Sequence, residues 1–244
     1  MSHISNAFLS DNASLFQRSD SSDSKKIAAF IFDMDGLLLD TERLCKICWN
    51  RIGKKYAISD SAIEKAYRLC VGRSNEDTLE ILRSFFKTSK PDFNVSAFYK
   101  EACDCFFSVE KEIGLPKMQG TDECLSYLSE KGFTLALASS TSEVNVHRQL
   151  KNAGIIGYFK TITCGDCVVR SKPDPEIYIK ACASLNFPPS LCVALEDSPN
   201  GVRSATSAGM RCVMIPDQIQ PDDEIKSLAW KIIPSLSDII SLFP

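Results

Sequence analysis

The sequence predicts an α/β fold: a doubly wound parallel sheet covered by helices on both faces, with a small helical cap inserted into it. Three observations carry that prediction. Short continuous apolar runs recur along the 244-residue chain, each long enough for a buried strand and too short for a helix. Helical stretches alternate with them, and an unbroken apolar run is what a parallel strand buried on both faces requires. One long interval, residues 42–117, has helical texture and no strand.

The first 26 residues stand outside this pattern. Eight serines with Asp11, Asp20 and Asp23 make a polar leader. It lacks the apolar stretch of a secretory signal and has the composition of a flexible segment, with room for a short docked helix through Ile4, Phe8, Leu15 and Phe16. At residue 27 the texture changes. Residues 27–32 read as the first strand, which stops at Asp33-Met34-Asp35-Gly36. Helices follow over residues 42–56, 60–69, 74–87 and 94–112, interrupted at Gly72 and Pro91. A strand-to-helix loop normally takes about 2–6 residues, so an insertion of this size must bury apolar faces of its own. Leu69, Leu79, Leu82 and Phe86 make one such stripe, and Trp49 reads as part of the same core. The chain leaves near Asp40-Thr41 and returns near residues 115–120, so these are the candidate hinges. Beyond them, strands at 133–138, 161–164, 191–195 and 211–215 alternate with helices at 121–131, 142–153, 175–186 and 199–208. Pro175 suits a first helical turn, and Gly132, Gly154 and Gly209 follow helix ends. The expected organisation is a leader at 1–26, a Rossmann-like core at 27–41 and 118–244, and a cap at 42–117.

Composition narrows the function. Lys and Arg total 28 against 31 Asp and Glu, a net charge of −3. Without a basic block this argues against sequence-independent nucleic-acid binding. No apolar run approaches the roughly 20 residues of a membrane span. His3 and His147 are the two histidines. A His-rich zinc site is excluded, and acid–base work falls to a carboxylate, Lys or Tyr. There are eleven cysteines, with CxxC spacing at Cys45/Cys48 and Cys164/Cys167. Those pairs are too far apart for a zinc ribbon. They read as reduced thiols packed like small apolar residues, as in the cytoplasm.

Ligands of open parallel sheets bind beyond the carboxyl ends of the strands. After the first four apolar runs come Asp33 and Asp35, then Ser139, Ser140 and Thr141, then Ser171-Lys172-Pro173, then Glu196-Asp197-Ser198. Parallel strands bring four carboxylates, one lysine and several hydroxyls to one rim. Four carboxylates so close repel one another, so a cation belongs among them. An all-oxygen donor set without His or Cys suits Mg²⁺. A lysine, hydroxyls and loop N–H groups suit a dianionic oxyanion. Metal, anion site and an exposed carboxylate nucleophile together describe phosphoryl transfer through an aspartyl-phosphate.

Four motifs, in order, resemble the haloacid dehalogenase superfamily, in its helical-cap phosphatase and β-phosphoglucomutase-like branch. They are the segment Asp33 to Glu42, the run Leu135-Ala-Leu-Ala-Ser139, Ser171-Lys-Pro-Asp-Pro175, and Leu195-Glu-Asp-Ser-Pro-Asn-Gly201 with Ala208-Gly-Met210. The resemblance covers residues 27–216. It implies Asp33 as nucleophile and metal ligand, and Asp35 as general acid/base whose backbone carbonyl also meets the metal. It implies Ser139 and the Ser140 backbone at the phosphoryl group, Lys172 as charge neutraliser, and Asp197 with Glu196 at Mg²⁺. Asp35 argues against dehalogenation, which needs no acid for a leaving alkoxide. Arg73, Ser74 and Asn75 are the candidate substrate readers in the cap. β-Phosphoglucomutases carry a histidine where this chain has Cys45 and a cap arginine aligned with Asn75, near Arg73. Losing both favours hydrolysis of small sugar or nucleoside monophosphates over a hexose-phosphate mutase. A non-catalytic binding protein of the same fold is the remaining alternative.

Overall fold

The computed structural model describes residues 27–71 and 75–244. The leader at 1–26 and the cap residues Gly72, Arg73 and Ser74 lie outside the described residues.

Strand β1 (Ala29–Phe32) is followed by four helices, α1 (Thr41–Lys55), α2 (Asp60–Cys70), α3 (Asn75–Phe86) and α4 (Val95–Ile113). The chain then alternates: α5 (Thr121–Glu130), β2 (Thr134–Ala138), α6 (Glu143–Asn152), β3 (Thr161–Thr163), α7 (Glu176–Leu185), β4 (Cys192–Glu196), α8 (Pro199–Ser207) and β5 (Arg211–Met214). It closes with α9 (Asp223–Leu228), β6 (Lys231–Ile232) and α10 (Ile239–Leu242). The strands form one parallel sheet in the order β3-β2-β1-β4-β5-β6. The fold is the expected α/β, Rossmann-like one. β1 lies between β2 and β4, so successive strands build outward first on one side of it and then on the other. That reversal opens a crevice at the carboxyl ends of β1 and β4.

Side-chain alternation explains the unbroken apolar runs. On one face Phe30, Phe32, Leu135, Leu137, Val193 and Leu195 pack with helices α5 and α6. On the other, Ala29, Ile31, Ala136, Ala138 and Ala194 meet α7 and α8. Every residue of β1 is fully buried, so each side chain has a helix to face.

The four helices between β1 and α5 have a core of their own. Trp49 stands at its centre, edge-on to Tyr67 at 5.1 Å and to Phe98 at 5.6 Å between ring centroids. Leu82 and Phe86 are buried in it and Leu79 packs against it, but Leu69 is 52% exposed. The expected stripe therefore fails at Leu69. That residue belongs to α2 and the other three to α3, and a helical stripe is continuous only within one helix. Where the chain leaves and returns, the two crossings are stitched together. Asp40 N–H donates to the Pro116 carbonyl at 2.9 Å and Met118 N–H to the Leu38 carbonyl at 2.9 Å. Among the described residues no helix is long and apolar enough to cross a membrane.

Candidate active site

The residues that follow the apolar runs converge at the crevice. Asp33 continues β1, and its N–H donates to the Leu195 carbonyl of β4 at 3.0 Å, which fixes it beside Glu196 and Asp197. Lys172 reaches in from the loop before α7. Its ammonium carries three protons and all three are used. They go to Asp33 Oδ1 at 2.6 Å, Glu196 Oε1 at 2.7 Å and the Ala138 carbonyl at 3.1 Å. This tripod aims one buried positive charge at Asp33.

Glu196 is fully buried, and its partners define it. Oε1 also accepts from Tyr178 O–H at 2.6 Å, and Oε2 accepts from Ser198 Oγ at 3.3 Å. α8 passes so close that a Cβ on Gly201 would stand 1.9 Å from the Glu196 carboxyl. Gly201→Ala is therefore expected to push Glu196 aside and loosen the Lys172 anchor. The expected result is a fall in kcat of roughly tenfold or more, with the fold kept, checked by steady-state kinetics beside a circular-dichroism melt.

Asp35 is held by hydroxyls. Its Oδ2 accepts from Thr141 Oγ1 at 2.8 Å and Ser139 Oγ at 3.3 Å, and Thr41 also bonds its carboxyl. The Ser139 oxygen in turn accepts from Thr141 N–H at 3.0 Å. The Ser139 side chain thus orients Asp35, and Ser140 beside it is exposed. Asn75 opens α3 on the exposed side, and its Oδ1 accepts from Tyr99 O–H at 2.6 Å. Sequence reasoning placed Thr141 among the rim hydroxyls and Thr41 at a hinge, but missed both as supports of Asp35 and missed Tyr178 altogether, because a hydroxyl gives no local sign of a distant partner. It also missed Asp217, just past β5. One Asp217 oxygen is buried without a hydrogen-bond partner among the described residues.

The acids crowd one another. Burial raises Asp33 from the ordinary carboxylate value to about 7; Lys172 opposes the shift, while Glu196 and Asp35 add to it. Burial, then the Asp33 and Glu196 charges, push Asp197 well above its usual range. Burial likewise raises Asp35, against the bonds from Thr141, Thr41 and Ser139. Oxygens of Asp33, Glu196 and Asp197 lie within 4.8 Å of one another. Gly36 leaves room for them. Its φ is +79°, which only glycine adopts freely, and a Cβ there would stand 2.5 Å from Asp197 Oδ2 and 3.6 Å from Asp217 Oδ2. Buried carboxylates crowded together, with an orphaned acid oxygen alongside, fit a hard divalent cation. Since Lys172, Tyr178 and Ser198 engage both oxygens of Glu196, the ligands best placed to hold it are Asp33 and Asp197.

The sequence profile of haloacid dehalogenase-like hydrolases matches residues 30–215, which span every crevice residue named above except Asp217. The chain belongs to this family. Among relatives of these hydrolases, a phosphorylated carbohydrates phosphatase of Thermotoga maritima is 34% identical over 184 residues, 75% of this chain and 82% of its own. A Drosophila melanogaster protein described as a probable pseudouridine-5′-phosphatase is 30% identical over 224 residues, covering 88% and 92%. The crystal structure of CbbY from Rhodobacter sphaeroides in complex with phosphate superposes with a TM-score of 0.70 at 27% identity, covering 87% of this chain and 96% of that one.

Proposed function

We propose that this hydrolase is a Mg²⁺-dependent phosphatase of small phosphorylated metabolites, sugar or nucleoside monophosphates, working through an aspartyl-phosphate. The observation that carries the reading is the Lys172–Asp33 pair at 2.6 Å, with Asp35 two residues on and a cation-fitting acid cluster beside it. Mg²⁺, held by Asp33, the Asp35 carbonyl and Asp197, would neutralise charge on the phosphoryl oxygens. Asp33 attacks phosphorus through the oxygen that Lys172 does not hold. Lys172 keeps that carboxylate oriented and offsets charge gathering on the phosphoryl group. Asp35, whose burial favours the protonated form, donates its proton to the departing alkoxide oxygen. It then takes a proton from the water that opens the aspartyl-phosphate. Glu196 serves as the anchor of Lys172. Ser139 sets the Asp35 carboxyl through its hydroxyl, and the Ser140 backbone would meet the phosphoryl oxygens. The helices of segment 42–117 would cover the crevice as the cap.

Inorganic phosphate release from a panel of metabolite monoesters tests this. Release with Mg²⁺ and its loss in EDTA is the expected result. Conversion of β-glucose 1-phosphate plus a bisphosphate primer into glucose 6-phosphate, with little free phosphate, would replace hydrolysis by mutase chemistry.

A further inference from the structure

A cavity of about 210 Å³ lies among α1, α4 and the end of α2. It begins next to the catalytic acids. Glu42 in its wall follows Thr41, which hydrogen-bonds Asp35, and the Asp35 charge acts on both Glu42 and Cys45.

Its lining has an unusual polar inventory. The polar groups are one carboxylate, Glu42, two phenols, Tyr67 and Tyr99, one threonine and three thiols. Aromatic and aliphatic surface, led by Trp49 and Phe106, makes up the rest. No lysine, arginine or histidine lines it among the described residues. Both phenol protons are already spent. Tyr67 donates to the Glu42 side chain and Tyr99 to Asn75. An ionised carboxylate has about four lone-pair sites, so Glu42 retains room to accept from a guest. The cavity therefore offers its one charged acceptor at Glu42 and mostly apolar wall elsewhere.

A hexitol or hexose chain fits such walls poorly. Its hydroxyls, spread on every side, would lose water without finding partners. A second phosphate would meet the Glu42 carboxylate and, among the described residues of the lining, no cation. A flat ring with N–H or O–H donors at one edge satisfies both features. We propose that this cavity receives the alcohol portion of the substrate and selects ring-bearing monophosphates over polyol phosphates and bisphosphates, with Glu42 as the specificity residue. A nucleoside 5′-monophosphate is the simplest member of that class. The assignment rests on the phosphatase reading above and narrows it.

Phosphate release is measured with Mg²⁺ on four probes: uridine 5′-monophosphate, sorbitol 6-phosphate, fructose 1,6-bisphosphate and acetyl phosphate. The leaving group of acetyl phosphate is too small to fill the cavity. The expected kcat/KM for uridine 5′-monophosphate exceeds those for the sorbitol and fructose esters by at least about tenfold. Glu42→Leu removes the acceptor and is expected to shrink that advantage by about tenfold, chiefly through KM. Because Glu42 also holds Tyr67, a second variant guards against misfolding. Ala102→Leu adds bulk to the wall and is expected to raise KM for uridine 5′-monophosphate more than for acetyl phosphate. Preference for the sorbitol or fructose ester, or equal losses on every probe in whichever variant folds, overturns the assignment and leaves the phosphatase reading standing. No release from any probe, acetyl phosphate included, overturns the phosphatase reading and the assignment with it.

Discussion

Asp33→Asn is expected to lower kcat by at least about 10⁴-fold, because an amide oxygen is too weak a nucleophile to attack phosphorus. The same substitution is expected to stabilise the metal-free protein. Burial outweighs Lys172 at this carboxyl and raises it to about 7. The folded chain thus binds a proton there more tightly than the unfolded chain does. Its contribution to stability falls as pH rises from the ordinary value of 3.8 through about 7. Asparagine carries no charge at any of these pH values. Its advantage over the parent should therefore widen across that window, reaching on the order of 2 kcal/mol. Urea unfolding in EDTA at the two ends of the window measures this. A variant less stable than the parent at the upper end would contradict the account of the buried charge, and one that still turns over at near the parent rate would remove the nucleophile from the mechanism. Gain of stability with loss of turnover marks a site whose charges serve chemistry at the cost of folding.

Lys172→Met acts in the opposite sense on stability. The Lys172 side chain is 8% exposed, and its ammonium sits between Asp33 and Glu196, the latter wholly buried. Methionine keeps the apolar stem and deletes the charge, leaving two carboxylates facing each other with no cation between them. Breaking a buried ion pair in this way costs about 3–5 kcal/mol. Loss of the positive charge beside the phosphoryl group should lower kcat by about 10²–10³-fold. Denaturant unfolding and initial rates of phosphate release at saturating Mg²⁺ separate the two losses. A variant that unfolds at the parent midpoint would mean that Glu196 and Asp33 do not depend on Lys172, contrary to the tripod geometry.

How much of this was legible from residues alone follows a physical line. Asp33, Asp35, Lys172, Glu196 and Asp197 were legible because each sits where an apolar run ends or in the loop leading to the next helix. A charge placed directly against a buried strand is costly unless it has a task. The parallel sheet was legible for a related reason: β1 and β4 are buried on both faces and read as continuous apolar runs. β6 was not, because two residues, Lys231 and Ile232, give no periodicity to read. Tyr178 was invisible as the partner of Glu196. It looks like any aromatic residue on the buried face of α7, and only the packing of that helix on the sheet brings its hydroxyl to 2.6 Å. Leu69 was misjudged because it lies before the break at Gly72, and an apolar stripe does not carry over from one helix to the next. The Glu42–Tyr67 pair joins two helices across 25 residues and has no local sign at all.

The paired crossings at Asp40 and Pro116 have a consequence for how such a chain can change over time. Because the excursion into α1–α4 starts and finishes at neighbouring backbone positions, the sheet beneath it closes the same way whatever is spliced into that doorway. Helices can be lengthened, exchanged or trimmed there while the strand ends keep their register. The chemistry and the choice of molecule can therefore drift at different speeds within one polypeptide.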